Sequence, residues 1–333
     1  MYTKEVKREL EEKGFLERRI DPTLDLFEEI KILKKKKNAI ILAHFYQESD
    51  IQDIADFVGD SLALSQKAAS TDADIILFAG VEFMAETAKI LSPNKKVLLP
   101  DLNAGCSLAE SCPAEDFTKF KAERPDHIVI SYVNCSAEVK ALTDIVCTSS
   151  NAIQIIESLP KDQKIIFGPD RNLGAYLVKE TGRNMEIWDG SCMVHEMFSL
   201  EKIIQLKAEN PGSEIIAHPE CTSELLDHAS YIGSTSGLLK YVQSSDNNIF
   251  IVATESGILH QMQKEASGKT LIPAPPNNTC ACNDCPHMRL NTLEKLYNCL
   301  KYEAPETTLD YSLIEDAKKP IIKMLEISKK LGL

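Results

Sequence analysis

Ten cysteines stand in a chain of 333 residues, and three of them recur at one place in a repeated pattern. Cys106, Cys192 and Cys285 each lie shortly beyond the last apolar run of a strand–helix–strand stretch. Three thiolates suit a 4Fe–4S cluster with one iron left open, or an incomplete zinc site. The other cysteines read differently. Cys147 ends the run TDIVC and Cys299 lies in the helical stretch LEKLYNCLKY, both as small buried hydrophobes. Cys135 and Cys221 follow polar strand ends and are candidates to line a site without binding metal; Cys112 stands six residues after Cys106. Cys280-Ala-Cys282-Asn-Asp-Cys285 is the one close-spaced run. It signals metal without naming it, because the second CxxC of a zinc ribbon is missing.

A second set of reactive side chains falls at strand ends. Three β-rich runs close on His44-Phe45-Tyr46, Tyr132-Val133-Asn134 and His218-Pro219-Glu220. His, Tyr and Glu are groups that move protons in enzymes. His195, three residues beyond Cys192, joins them, whereas His127, His228, His260 and His287 lack this placement and read as structural. Each unit then carries hydroxyls at a strand-to-helix turn: Asp60-Ser61, Ser149-Ser150 and Ser234-Thr235-Ser236. Such residues cap helices, and with the exposed N–H groups of a helix start they also bind anions. Three such turns in one mouth suit a substrate bearing carboxylates or a phosphate.

The elements that position these groups repeat three times. AIILAHFYQ, HIVISYVNC and EIIAHPEC open the units; DIILFAG, KIIFGPD and NIFIVATE begin their second halves. Apolar runs alternating with helical patterns mean βαβ units and parallel sheets. Turn acids align as Glu82, Asp170 and Glu255, with an insertion in the third unit before its cysteine. The expected architecture is α/β, with three homologous parallel-sheet domains. Residues 1–112 hold N-terminal helices and the first repeat, 113–195 the second, 196–290 the third and 291–333 a C-terminal helical segment. Helices are expected over 4–19, 23–37 and 310–331. Function in parallel sheets gathers beyond the C-terminal strand ends. Packing about a pseudo-threefold axis would let the three cysteines converge.

The net charge of −13 argues against a nucleic-acid or acidic-membrane surface. No apolar run approaches a membrane span, and the charged N-terminus MYTKEVKREL is unlike a secretory leader, so a cytoplasmic, reducing location is expected. No dinucleotide fingerprint, P-loop or nucleophile elbow is present, so neither NAD nor ATP is expected as cofactor.

These motifs together give the chain a close resemblance to the quinolinate synthase (synthetase A-protein) family of NAD biosynthesis. The resemblance covers nearly the whole sequence. It is carried by AHFYQ (43–47), GDSLALS (59–65), PDLNAGCSLAESCP (100–113), SYVNCSAEVKALTDIVCTSSNA (131–152), FGPDRNLG (167–174), AHPEC (217–221), GSTSG (233–237), ATESGILH (253–260) and CNDCPHM (282–288). It implies a triangle of three α/β domains around a central site, and a 4Fe–4S cluster on Cys106, Cys192 and Cys285 whose open iron acts as a Lewis acid. It implies condensation of iminoaspartate with dihydroxyacetone phosphate to quinolinate, with loss of phosphate and two waters. By motif, Tyr46, His218 and Glu220 handle protons. His44, Ser61, Ser149 and Thr235 hold carboxylate or phosphate oxygens, and Tyr132 and Asn134 line the pocket. Unstable iminoaspartate implies a supplying partner, L-aspartate oxidase or aspartate dehydrogenase. Some members carry CxxCxxC near the last ligand; here the run is CxCxxC, so redox control by a CxxC pair does not transfer. The competing readings are an iron–sulfur or metal-based redox sensor on the same scaffold and a non-catalytic anion-binding repeat protein. The strand-end His, Tyr and Glu favour the enzyme.

Overall fold

The computed structural model describes residues 3–277 and 283–332. Twelve strands among them form three four-stranded sheets, and every pairing within them is parallel. In the first sheet β1 (Ala39–His44), β2 (Phe57–Gly59), β3 (Ile75–Ala79) and β4 (Lys96–Leu98) lie in the order β2-β1-β3-β4. The second uses β5 (Ile128–Tyr132), β6 (Ile145–Cys147), β7 (Ile165–Gly168) and β8 (Met185–Ile187), ordered β6-β5-β7-β8. The third uses β9 (Glu214–Ala217), β10 (Tyr231–Ile232), β11 (Ile249–Ala253) and β12 (Thr270–Pro273), ordered β10-β9-β11-β12. One topology recurs three times, as the repeated sequence pattern requires.

The register repeats as well. The central pairs end on Ala43↔Ala79, Ser131↔Gly168 and Ala217↔Ala253. Next come His44 and Tyr132, the last residues of β1 and β5 and still paired with Gly59 and Cys147, and His218, which follows β9. In this strand order the chain diverges on either side of the central pair, which opens a crevice beyond their C-terminal ends. The central strands are buried almost throughout, β3 at every residue, which accounts for runs such as IILFA that do not alternate with polar residues.

The chain divides into two compact units. Residues up to Cys106 join Pro286–Lys318 in the first; Ser107–Cys285 join residues from Lys319 onward in the second. The first contains the first sheet, with Ile41, Leu77, Leu98 and Leu296 in its core. The second contains the other two sheets. Their cores include Phe117, Val129 and Ile166 in one and Ile203, Ile215 and Ile251 in the other.

The first helix ends earlier than its periodicity predicts. It spans Lys4–Lys13, because Gly14 takes a left-handed φ of 79° and its N–H closes onto the Leu10 carbonyl. The next begins later, at Leu26, where the Asp25 carboxylate accepts the Phe27 and Glu28 N–H groups. The closing helix, Tyr311–Leu331, agrees with expectation. Cys135 and Cys221 do not line a site. Both are fully buried in the cores of the second unit, where the Cys221 thiol donates to the Ala253 carbonyl. Among the described residues no helix is long and apolar enough to cross a membrane.

Candidate active site

Burial divides the eight described cysteines in two. Cys112, Cys135, Cys147, Cys221 and Cys299 are buried; Cys106, Cys192 and Cys285 are partly exposed. Burial pushes the thiols of Cys112, Cys147, Cys221 and Cys299 up, away from the thiolate that binds metal. Among the described residues, the three cysteines at repeated positions are therefore the more exposed ones. Cys280 and Cys282 lie outside the described residues.

The second unit assembles a hydrogen-bonded group around Glu220, which follows β9. Its Oε1 accepts the phenolic proton of Tyr132, the last residue of β5, at 2.6 Å. Its Oε2 lies 3.1 Å from Nδ1 of His195. The His218 ring stacks obliquely on that of His195, with centroids 4.9 Å apart, and its Nδ1 is 3.6 Å from Glu220 Oε1. All four side chains are buried. Burial pushes the Glu220 carboxyl up, but the His195 and His218 imidazoles, with hydrogen bonds from His195 and Tyr132, more than reverse this and hold it at about 2. Opposite charge and donated hydrogen bonds favour the ionised carboxylate.

Each imidazole turns its far nitrogen to a hydroxyl. His195 Nε2 is 3.1 Å from Thr254 Oγ1, and His218 Nε2 is 3.1 Å from Ser149 Oγ. The Glu220 backbone N–H points at His218 Nδ1 at 3.4 Å. The tautomer sets the role of each ring nitrogen, and Nε2 is the one that faces Ser149. The first unit repeats the motif. The Tyr46 N–H meets His44 Nδ1 at 3.2 Å, and the two rings pack edge to face with centroids 4.4 Å apart. Arg289 holds this turn, donating to the Tyr46 carbonyl and pairing with Glu48 at 2.8 Å.

The hydroxyl turns resolve by position. Asp60 and Ser234 cap their helices, accepting the Ala63 and Gly237 N–H groups, so Ser61 and Thr235 stand one residue further, at the first helical position. In the second repeat Asn151 accepts the Thr148 N–H, beside Ser149. The Asn134 carbonyl oxygen is buried and finds no hydrogen-bond partner among the described residues.

The cysteine loops meet this group within the second unit. The ligand atoms of Cys192, His195 and Glu220 all lie within 4.8 Å of one another, a set able to hold a metal ion. The Cys285 N–H donates to Glu255 Oε1 at 3.2 Å, next in chain to Thr254. Asn172 is a further positioning residue, donating to Glu196 Oε1 and to the Glu220 carbonyl. Neither Thr254 nor Asn172 stood out in the sequence, although Thr254 directly follows β11 in the run IVATES and Asn172 lies in the first turn of the helix after β7, in FGPDRN.

A repeated parallel α/β fold, with a buried histidine–carboxylate–phenol group and a Cys192–His195–Glu220 set able to hold a metal ion, is the frame of an α/β enzyme. A family model described as Quinolinate synthetase A protein matches residues 28–326, and the chain belongs to that family. Relatives named quinolinate synthase include one from Trichodesmium erythraeum (strain IMS101), 64% identical over 304 residues, covering 91% of this chain and 94% of that protein. Another, from Gloeothece citriformis (strain PCC 7424), is 64% identical over 305 residues, covering 92% and 94%. A third, from Chloroherpeton thalassium (strain ATCC 35110 / GB-78), is 62% identical over 307 residues, covering 92% and 95%.

Proposed function

We propose that this chain is a quinolinate synthase in NAD biosynthesis, condensing iminoaspartate with dihydroxyacetone phosphate and releasing phosphate and two waters. The observation that supports it best is the buried Tyr132–Glu220–His195 group, with His218 against it, in a chain of this family. In this reading Cys106, Cys192 and Cys285 hold a 4Fe–4S cluster, which supplies a Lewis acid for a substrate oxygen or nitrogen. Their partial exposure, against the burial of the other described cysteines, supports that choice. A reducing, cytoplasmic setting suits such a cluster, and an aspartate-oxidising enzyme is the matching source of iminoaspartate.

The chain's own residues divide the remaining work. Glu220, kept ionised, orients the imidazole of His195 and the phenol of Tyr132. His218 presents Nε2 beside Ser149, where it can deliver a proton to a departing hydroxyl and later recover one from carbon. Tyr46, packed on His44, is the corresponding proton-handling group of the first unit. Ser149, with His44, Ser61 and Thr235, provides donors for carboxylate and phosphate oxygens. Asn134 and Tyr132 orient the ring-closing intermediate. The unpaired Asn134 oxygen matches an N–H donor on a nitrogen-bearing substrate.

The test is an anaerobic assay with dihydroxyacetone phosphate, aspartate and an iminoaspartate-generating oxidase, reading quinolinate directly. Protein loaded with about four irons and four sulfides should form it. Loaded protein that forms none would refute the function.

A further inference from the structure

We propose that Glu255 is a positioning residue for Cys285, fixing the loop that presents this thiolate through a hydrogen bond to its backbone. The inference rests on Cys285 being a cluster ligand.

Each repeat ties its cysteine loop to the turn that follows a strand. In the first unit the Glu82 N–H donates to the Ala104 carbonyl at 2.7 Å, two residues before Cys106. In the second the Arg171 N–H donates to the Gly190 carbonyl at 2.8 Å, two residues before Cys192, and Asp170 bridges to Gly190 as a short parallel pair. Both clasps are backbone to backbone at the turn that follows the third strand of the sheet.

The third unit departs from this pattern at the same position. Its loop is longer, because of the insertion before Cys285, and its clasp is made by a side chain. Glu255, fully buried, divides its carboxylate between two backbone donors. Oε2 accepts the Gly257 N–H at 2.7 Å and so shapes the strand-end turn; Oε1 reaches across to the Cys285 N–H at 3.2 Å. The neighbouring loop residues are tied to the third repeat and to the end of the second. The Ser256 hydroxyl bonds the Asp284 carboxylate, and the Asn283 amide donates to the Val194 carbonyl, two residues beyond Cys192. By accepting both N–H groups, one buried carboxylate joins the turn to the ligand loop. Partners of this kind orient metal ligands, and losing one typically weakens metal holding about 10- to 100-fold.

The second unit shows which substitution separates the two bonds. There an aspartate, Asp170, occupies the equivalent turn and bonds locally, accepting the Leu173 N–H at 2.7 Å. Glu255→Asp should therefore keep the turn and withdraw from Cys285. Glu255→Gln keeps the length but offers one acceptor oxygen for two N–H donors.

The experiment compares wild type, Glu255→Asp and Glu255→Gln, each loaded anaerobically, by the rate of iron release to a ferrous chelator. Amide hydrogen exchange at Cys285 is measured on the cluster-free proteins. Wild type should show a protected Cys285 amide. Both variants should lose that protection and release iron about 10- to 100-fold faster. Folded variants that release iron at the wild-type rate would overturn the proposal. So would an unprotected Cys285 amide in wild type, a result that needs no variant to fold. Wild-type protein that binds no iron or sulfide would instead remove the cluster reading, leaving the exchange result to judge the hydrogen bond alone.

Discussion

Two carboxylates of the second unit lie beyond neighbouring strand ends, both buried, and their surroundings drive them in opposite directions. Glu220, after β9, has Tyr132 and His195 on its two oxygens and stays ionised. Asp170, after β7, caps its helix with Oδ1, while Oδ2 finds no hydrogen-bond partner among the described residues. Burial, reinforced by the charge of Glu220, pushes the Asp170 carboxyl well above the usual carboxylate range. Equal burial thus gives opposite protonation, because donors and cations were supplied to one carboxylate and withheld from the other.

The comparison breaks most sharply at the cysteine beside Glu220. Cys192→Ala should abolish bound iron and quinolinate formation together, read by iron analysis and the coupled assay. A full iron complement in that variant would detach the cysteine from the site. Glu220→Gln comes next, with kcat expected to fall about 10²- to 10⁴-fold as the proton-handling group loses its charge. Tyr132→Phe removes one donor to the same carboxylate and should lower kcat about tenfold. If Asp170→Asn lowered kcat more than Glu220→Gln, the choice of Glu220 as the working carboxylate would be overturned.

Asp170→Asn should mainly change stability. A carboxyl raised on folding keeps its proton between the unfolded and folded pKa values, whereas the unfolded chain releases it. Its contribution to stability is present below the unfolded value and is lost as pH rises through that window. The substitution should therefore raise Tm relative to wild type by an amount that grows from about pH 4 upward, at about 1.4 kcal/mol for each unit separating the two pKa values. A Tm difference independent of pH would contradict the protonation of Asp170. Smallest of all, Cys147→Ala should retain the full iron complement and lose about 1 kcal/mol of stability in a denaturant melt, as expected for a small buried group.

Much of this was legible in the sequence because it repeats. Three apolar runs ending in His44, Tyr132 and His218 predict three parallel sheets, and the recurrence of Cys106, Cys192 and Cys285 separates them from thiols such as Cys147. Boundaries were less legible. The hydrophobic pattern continues past Lys13, but Gly14 ends the helix through a backbone angle that periodicity does not encode. Cys135 and Cys221 follow polar strand ends yet are buried in the cores, because the chain turns back after β5 and β9, with the Cys135 N–H closing onto the Val133 carbonyl and the Cys221 N–H onto the His218 carbonyl. The state of Asp170 was illegible for another reason. It depends on which donors fail to reach Oδ2, a matter of packing between segments far apart in the chain.

The Tyr132–Glu220 hydrogen bond has a consequence for descent. Tyr132 occupies the first strand-end position of the second repeat; Glu220 occupies the third such position of the next one. The corresponding pairs are His44 and Tyr46, Tyr132 and Asn134, His218 and Glu220. Duplication of an ancestral repeat would have supplied three identical mouths, and the working bond exists because the copies then diverged. A chain assembled from three copies of any one repeat would retain the sheet topology, yet no copy could lend its neighbour both the phenol and the carboxylate. The second and third repeats, joined by this bond, are no longer interchangeable.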